Sequence, residues 1–402
     1  MEYRLKIAKK MSILALGAES AGNFCLYHNG KIYHSPDFGD LLEEINWVKF
    51  KKSLQKELKI ANFKPKIILS DLHPDFRTTI IAKELAKKYK AEYFPVQHHI
   101  AHIFSAIGDK IIQNTKYKIL STIYAIACDG TGLGMDGKIW GGEVFRISNF
   151  EFRILNKKSN HKKNIERIGH LENQMLIGGD LAICEPARML ISILLKVKSQ
   201  KSKVKITTQK SKQKKDSIFQ FVKKYYTRNE FELIYNQLQQ NFNCQETSST
   251  GRILDAVSIL LGFCGNVRNY KHEPIDMLEK NSGKPYANIK PETIYDKKEQ
   301  AYILLTTPLF KYLIKNIKKD KRRLAATAQF YIAQGLYKII QNIHDTSYMI
   351  PDTYFSGGMA NNKIISTYLK SKGVYTNKKI PRGDAGISFG QVIYYLLANP
   401  RN

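Results

Sequence analysis

Residues 122–147 read TIYAIACDGTGLGMDGKIWGGEVFRI: an apolar run, a glycine-rich turn, then a second apolar run. That pattern specifies a strand, a tight turn and a returning strand. The same grammar occurs at residues 13–35, ILALGAESAGNFCLYHNGKIYHS, where a small-residue turn and then His28-Asn29-Gly30 separate the apolar runs. The two stretches share topology rather than sequence, which predicts two lobes of related design. Between them, residues 41–58 (LLEEINWVKFKKSLQKEL) carry Leu, Ile, Trp and Phe at helical spacing. Residues 67–70 (IILS) form a buried strand ending in Asp71-Leu72-His73-Pro74. Residues 81–90 follow as a helix and 93–97 (YFPVQ) as a strand. A meander followed by βαβ units suits a mixed sheet with helices on its faces. The expected fold is α/β, with a first lobe over residues 11–122 and a second over 123–402. Within the second lobe, residues 171–345 are expected to be mostly helical. The chain then closes with a strand, glycine turn and helix (352–369), and a turn and final helix (381–397).

With 402 residues the chain can bury a large core, and 43% hydrophobic content is ordinary for a globular protein. It contains no apolar run of about 18 residues, so no membrane span is expected. The start, MEYRLKIAKKMSILALGAES, resembles a signal peptide, but its apolar part reads better as a first strand and no small-residue cleavage site follows. Cys25, Cys128, Cys184, Cys244 and Cys264 are scattered and contain no C-x-x-C pair. That argues against a disulfide framework and a cysteine zinc ribbon, and the expected location is the cytoplasm. Lys plus Arg number 64 against 35 Asp plus Glu, a net charge of +29. Such a field attracts polyanions. The stretch KVKSQKSKVKITTQKSKQKK, residues 196–215, lies in an expected insertion near 196–217. It is either an arm for nucleic acid or an acidic partner, or a solvated loop. Few aromatics interleave with its lysines, so it offers no stacking platform for single strands.

Residues 96–102, VQHHIAH, put His98 and His102 four apart, on one face of a helix, with His99 beside them. Two imidazoles on one face can grip one divalent metal; the alternative is a pair of partly exposed surface residues. Asp129-Gly130-Thr131-Gly132 ends a strand, where glycines let backbone N–H groups approach an anion and Thr131 adds a hydroxyl. A plain hairpin turn is the other reading. The glycines make no Rossmann fingerprint, because a strand follows them, and no P-loop sequence occurs. Ser356-Gly357-Gly358 precedes a helix carrying Asn362, which makes either a phosphate seat or a tight turn. Asp384 by itself reads as a helix N-cap. Grouped with His98, His102 and Asp129 it completes a His2Asp2 set, which suits Zn²⁺ or Fe²⁺ better than Mg²⁺. In GGDLAICEPARM (178–189), Asp180 and Arg188 either contact a nucleotide or carbamoyl group or close the loop as an ion pair. Asp255 sits on the polar edge of an apolar helix and faces either a ribose or water.

LALGAES, GDLLEE, SDLHPDF, VQHHIAH, CDGTG with IWGGE, GGDLAICEPARM, SSTGRILDAVSILLG, SGGMANN and GDAGISFGQ occur in one order. Over about residues 12–397 the chain resembles the C-terminal carbamoyltransferase region of the HypF family, which acts in [NiFe]-hydrogenase maturation. The resemblance implies a two-lobed fold of the actin, sugar-kinase and chaperone-ATPase superfamily, with ribonuclease H-like lobes and mixed sheets. It implies carbamoyl-adenylate, an ATP-derived nucleotide, bound between the lobes beside a divalent metal (Zn or Fe). The carbamoyl group would pass to the C-terminal cysteine of a HypE-like acceptor protein. On this chain the implied metal ligands are His98, His102, Asp129 and Asp384. Gly130, Thr131, Gly132, Asp255, Gly357, Gly358 and Asn362 would lie along the nucleotide.

HypF proteins carry acylphosphatase, zinc-finger and YrdC-like domains ahead of this region, so a separate YrdC-like protein is expected to form the carbamoyl-adenylate. The family's GAELK turn, with its lysine, reads Gly17-Ala18-Glu19-Ser20-Ala21 here, and a family Glu-Gly pair is replaced by Lys271-His272. These departures keep other readings open. One is carbamoyl transfer to a small-molecule or tRNA acceptor, as in the related tRNA threonylcarbamoyladenosine synthases and antibiotic O-carbamoyltransferases. Another is a non-catalytic nucleotide-binding scaffold subunit.

Overall fold

A computed structural model describes residues 1–5, 9–114, 122–148, 164–199, 208–343 and 352–398. Much of the Lys-rich stretch, residues 200–207, lies outside the described residues. The first sheet uses β1 (Glu2–Arg4), β2 (Ser12–Ala15), β3 (Cys25–His28), β4 (Lys31–His34), β5 (Ile67–Asp71) and β6 (Glu92–Val96). The second uses β7 (Ile123–Leu133), β8 (Ile139–Ser148), β9 (Asn164–Leu171), β10 (Gln174–Ile177), β11 (Cys244–Thr247), β12 (Thr293–Asp296), β13 (Ala301–Leu304), β14 (Thr353–Ser356) and β15 (Tyr375–Thr376).

The first sheet runs β1-β4-β3-β2-β5-β6 and the second β12-β13-β9-β8-β7-β14-β15. In each, an antiparallel meander (β2-β3-β4 or β7-β8-β9) is followed by two parallel strands (β5, β6 or β14, β15) on the far side of its first strand. The repeated grammar of the sequence is thus a repeated topology, and the α/β class with mixed sheets is borne out.

Strand alternation builds the layers. In β2, Ile13 and Ala15 join one core cluster while Leu14 joins another on the opposite face. The outer face is covered by the helices Glu44–Ile60, through Phe50, Leu54 and Leu58, and Arg77–Tyr89, through Ala82 and Ala86. In β7, Ile123, Ala125 and Ala127 face the inner cluster; Tyr124, Ile126 and Cys128 face the core under the helices Pro186–Ser199, Thr250–Leu261 and Lys321–Ile343. Burying each such Ile or Leu contributes about 1.5–3 kcal/mol.

Two helices fill the space between the sheets: His98–Gln113, against β7 and β14, and Ile387–Ala398, against β2 and β5. They cross at glycines. A Cβ on Gly390 would stand 1.9 Å from the Ala101 carbonyl oxygen, and one on Gly108 would stand 2.6 Å from Ile393 and Phe389. The last helix, late in sequence, therefore packs onto the first sheet and onto the histidine helix.

Residues 171–345 contain several helices, as expected, and also strands that local pattern did not show. β10 pairs with β11, and the β12–β13 hairpin extends the second sheet through β9. β10 and β11, and β13 and β9, lie tens of residues apart in sequence, and strands of four residues carry too few positions to show a period. Among the described residues no helix is long and apolar enough to cross a membrane.

Candidate metal centre

The site lies at the carboxyl ends of the parallel strands, where open α/β sheets commonly bind ligands. β5 ends in Asp71, β6 leads through Gln97 into the histidine helix, β7 passes through Asp129, and β14 ends at Ser356 before Gly357. Gln97 caps that helix: its side chain accepts from the Ile100 N–H at 2.9 Å. Capping fixes the first turn, and with it His98 and His102 on one face. Asp129 sits where the β7–β8 register breaks between Cys128 and Gly132, a bulge that re-aims a side chain. Asp384 opens a short 3-10 turn leading into the last helix.

The four residues expected to hold a metal converge. Ligand-capable atoms of His98, His102, Asp129 and Asp384 all lie within 4.8 Å of one another. Both imidazole Nε2 atoms meet Asp129 Oδ2, at 3.1 Å from His98 and 3.0 Å from His102. Asp384 Oδ1 is 3.6 Å and 3.4 Å from the same two nitrogens. The other Asp129 oxygen accepts from the N–H groups of Gly130 (2.8 Å) and Gly358 (3.2 Å), which leaves Oδ2 aimed at the centre. Gly383, not Asp384, takes the cap position of that turn, and the second Asp384 oxygen accepts from the Ser20 hydroxyl. A helix cap was the alternative reading of Asp384, and the carboxylate instead faces the histidines.

Burial opposes charge at each group, and mutual pairing overcomes it. Hydrogen bonds from His102 and His98 hold the Asp129 carboxyl well below its ordinary value despite burial. Burial would lower the His98 imidazole, yet Asp71, Asp129 and Asp384 together lift it well above the usual histidine range. Pairing with the carboxylates favours the protonated form of both imidazoles, and a divalent cation would displace those protons.

Asp71 has a role the sequence reading did not assign. It is 1% exposed, and its Oδ2 is 2.7 Å from His98 Nδ1. A carboxylate on the outer nitrogen of a ligating histidine fixes the tautomer and turns the other nitrogen inward. The available signal was a carboxylate ending a short, mostly apolar strand. Asp71→Asn is expected to weaken Zn²⁺ affinity about 10–100-fold, measured by competition with a chromophoric chelator; unchanged affinity would show that Asp71 does not orient the ligand. His99, by contrast, is neutral: burial, reinforced by His98, pushes it down to about 3.

The glycines pack tightly. A Cβ on Gly357, at φ +100°, would lie 2.2 Å from the Cys128 carbonyl oxygen, and one on Gly132 would lie 2.6 Å from the His99 ring. Gly130, Thr131 and Gly132 are half-buried beside the centre. Ser249 pins this turn, its hydroxyl donating to the Asp129 carbonyl at 3.3 Å while it caps the helix Thr250–Leu261. Behind it, Glu143 of the IWGGE strand accepts from the Gly141 and Gly142 N–H groups at 3.1 and 3.2 Å. Burial opposes the charge on Glu143, but Arg167 brings it down to about 2.

The structure places three other residues differently from their simplest reading. Asp255 is not on a polar edge: it is 1% exposed and paired with Arg252 (3.0 Å) and Arg268. Its link to the cleft runs through Arg252, whose guanidinium approaches Gly130. Asn362 has both ends engaged within the protein, accepting from the Ile365 N–H at 3.0 Å and donating to Gln329 at 2.7 Å. In the GGDLAICEPARM loop the ion pair is Glu185–Arg188 at 2.8 Å, not one with Asp180.

Two families match this arrangement in sequence. "HypF Kae1-like domain" matches residues 8–109, and "Carbamoyltransferase, Kae1-like Domain, second subdomain" matches residues 125–391. The chain belongs to the HypF Kae1-like carbamoyltransferase family. A HypF-named protein of Methanocaldococcus jannaschii is 34% identical over 98% of this chain and 48% of its own length. The chain spans about half the length of the curated HypF relatives it matches end to end. The HypF structure of T. kodakarensis is 27% identical with a TM-score of 0.78, over 99% of this chain and 49% of that one. A full-length HypF in a phosphate- and nucleotide-bound form superposes with a TM-score of 0.81 at 24% identity, over 98% of this chain and 47% of that one. The HypF fold therefore extends over essentially the whole chain.

Proposed function

We propose that this chain is a metal-dependent carbamoyltransferase that moves the carbamoyl group of carbamoyl-adenylate to the C-terminal cysteine of a HypE-like acceptor, in the cytoplasm, during hydrogenase maturation. The observation that carries this reading is the convergence of His98, His102, Asp129 and Asp384 within a chain of the HypF family. The donor set fits a Zn²⁺ or Fe²⁺ ion: two neutral imidazoles and two carboxylates, with Asp71 orienting one imidazole. When bound, such an ion supplies Lewis-acid polarisation of a carbonyl or phosphoryl oxygen.

The residues of the chain then have separate tasks. Gly130, Thr131, Gly132, Gly357 and Gly358 leave room for a nucleotide phosphate to approach the backbone. The acceptor thiolate attacks the carbamoyl carbon, the C–O bond to the adenylate phosphate breaks, and AMP leaves with the bonding electron pair. A thiocarbamate remains on the acceptor. Carbamoyl-adenylate itself comes from YrdC-like chemistry. The chain's own buried thiol at the site, Cys128, is pushed up to about 12 by burial, which keeps it protonated and inert.

The test supplies preformed carbamoyl-adenylate to the Zn²⁺-loaded protein with a HypE C-terminal peptide, and with the same peptide ending in serine. Carbamoyl transfer to the first and not the second is the expected result. Transfer to neither peptide, from folded and metal-loaded protein, overturns the assigned acceptor.

A further inference from the structure

A cavity opens beside β15, the last strand of the second sheet. Its volume is about 350 Å³, and Lys110, Lys370, Tyr375, Thr376, Lys378 and Arg382 form most of its wall. Lys110 and His98 share one helix but stand about 18 Å apart along its axis, at 1.5 Å per residue. The cavity is therefore separate from the metal centre.

Four cations line it, and two carboxylates meet them among the described residues. Asp352 pairs with Lys110 at 2.9 Å. Asp109 is buried and accepts from the main-chain N–H groups of Lys378, Lys379 and Ile380 at 2.9, 2.8 and 2.7 Å, and from the Tyr375 hydroxyl at 2.7 Å. Lys370, Lys378 and Arg382 form no ion pair among the described residues. Two positive charges are left over. The Arg382 guanidinium is half-buried and held by carbonyls alone: Nε donates to Asn377 at 3.1 Å and Nη1 to Ala360 at 3.1 Å. A carbonyl is not a counter-charge, and a guanidinium has further N–H donors to give. The ammonium groups of Lys110 and Lys378 both stand over the Tyr375 ring, 5.5 and 5.6 Å from its centre. Thr376 is 4% exposed and lines the same cavity, and its Oγ1 is buried with no hydrogen-bond partner. A buried hydroxyl ordinarily has one.

We propose that this cavity binds the phosphate monoester group of a small organic molecule. Arg382, Lys370 and Lys378 surround the phosphate, the Thr376 hydroxyl donates to it, and the Tyr375 ring forms the apolar wall. A phosphate monoester carries about −1.5 to −2, which matches the uncompensated charge, and a guanidinium grips phosphate oxygens bidentately. The volume is at the lower end for small-molecule sites, about 300–1,000 Å³, so there is room for more than a bare phosphate ion. A nucleic-acid backbone would call for cations spread along a stripe, whereas these are gathered at one concavity. The site stands independently of the carbamoyl-transfer function.

The experiment titrates phenyl phosphate, and separately a single-stranded oligothymidylate, into the full Zn²⁺-loaded chain by calorimetry. Wild type is compared with Lys370→Gln/Lys378→Gln, Arg382→Gln and His98→Ala. Expected are saturable binding of phenyl phosphate by wild type and about a tenfold loss of affinity in each of the two cavity variants. Lys370 and Lys378 are exposed, so the melting temperature of their double variant stays at the wild-type value and the loss is one of binding, not of fold. His98→Ala, which breaks the metal set, keeps the affinity within about twofold. No saturable binding by wild type, or unchanged affinity in either cavity variant, overturns the assignment. An equal loss in His98→Ala overturns it too, by placing the ligand at the metal. Oligothymidylate that binds more tightly than phenyl phosphate, and is lost in the same cavity variants, replaces it with a nucleic-acid site.

Discussion

Replacing His98 with alanine is expected to lower carbamoyl transfer about a thousandfold and to remove most bound Zn²⁺. His98 is central to the set: its Nε2 faces Asp129 and Asp384, and its Nδ1 is held by Asp71. Its loss removes one of four donors and leaves Asp71, 1% exposed, without its imidazole partner. Losing Lewis-acid stabilisation of several kcal/mol corresponds to roughly a thousandfold in rate. Two readouts check this: metal content after dialysis, and transfer from preformed carbamoyl-adenylate. Thermal denaturation of the variant separates loss of chemistry from loss of fold. A folded variant that keeps stoichiometric Zn²⁺ and wild-type transfer would overturn the metal assignment.

The second large effect concerns stability. Gly390→Ala should destabilise the protein by about 3 kcal/mol, the upper part of the range for overpacking. Alanine in a helix interior ordinarily gains about 1 kcal/mol over glycine, so the clash decides the sign. The new methyl group would meet the Ala101 carbonyl oxygen at 1.9 Å and the Ser105 nitrogen at 2.9 Å, both main-chain atoms of the histidine helix. No side-chain rotation relieves that contact, and the two helices must separate. One carries His98 and His102; the other follows Asp384 by three residues. Zn²⁺ affinity should therefore fall together with the melting temperature. A variant with unchanged melting temperature would show that the crossing has room to spare.

The members of the His98, His102, Asp129 and Asp384 cluster were legible one by one because each sits in a local pattern. His98 and His102 share a helix face at any site in any fold, and Gly130 after Asp129 and Gly383 before Asp384 mark turns that re-aim a carboxylate. The two-lobed plan was legible for a similar reason, since each lobe begins with its own strand, glycine turn and strand. The strands at residues 174–177, 244–247 and 293–304 were not visible, because each has four residues, too few to show a period, and β10 and β13 also pair with strands distant in sequence. Asp255 misled as an amphipathic edge. Helical periodicity reports which face is polar, but not that two arginines will close over that face and bury the charge. Asn362 followed its glycines into the expected nucleotide contacts, whereas its side chain caps a helix.

The sequence by itself determined the chemistry available to this protein: the donor types, their order along the chain, the glycine turns and the family they compose. Local spacing suffices for these, because a turn or a helix face is built from neighbouring residues. Only the tertiary structure decided how the donors meet. It set Asp71 behind His98, brought Asp384 across from the last helix through the Gly108–Gly390 crossing, and laid Lys271 of one lobe on Ser20 of the other. Each of these joins residues far apart in the chain, and packing across the two sheets, not local conformational preference, fixes the distance between them.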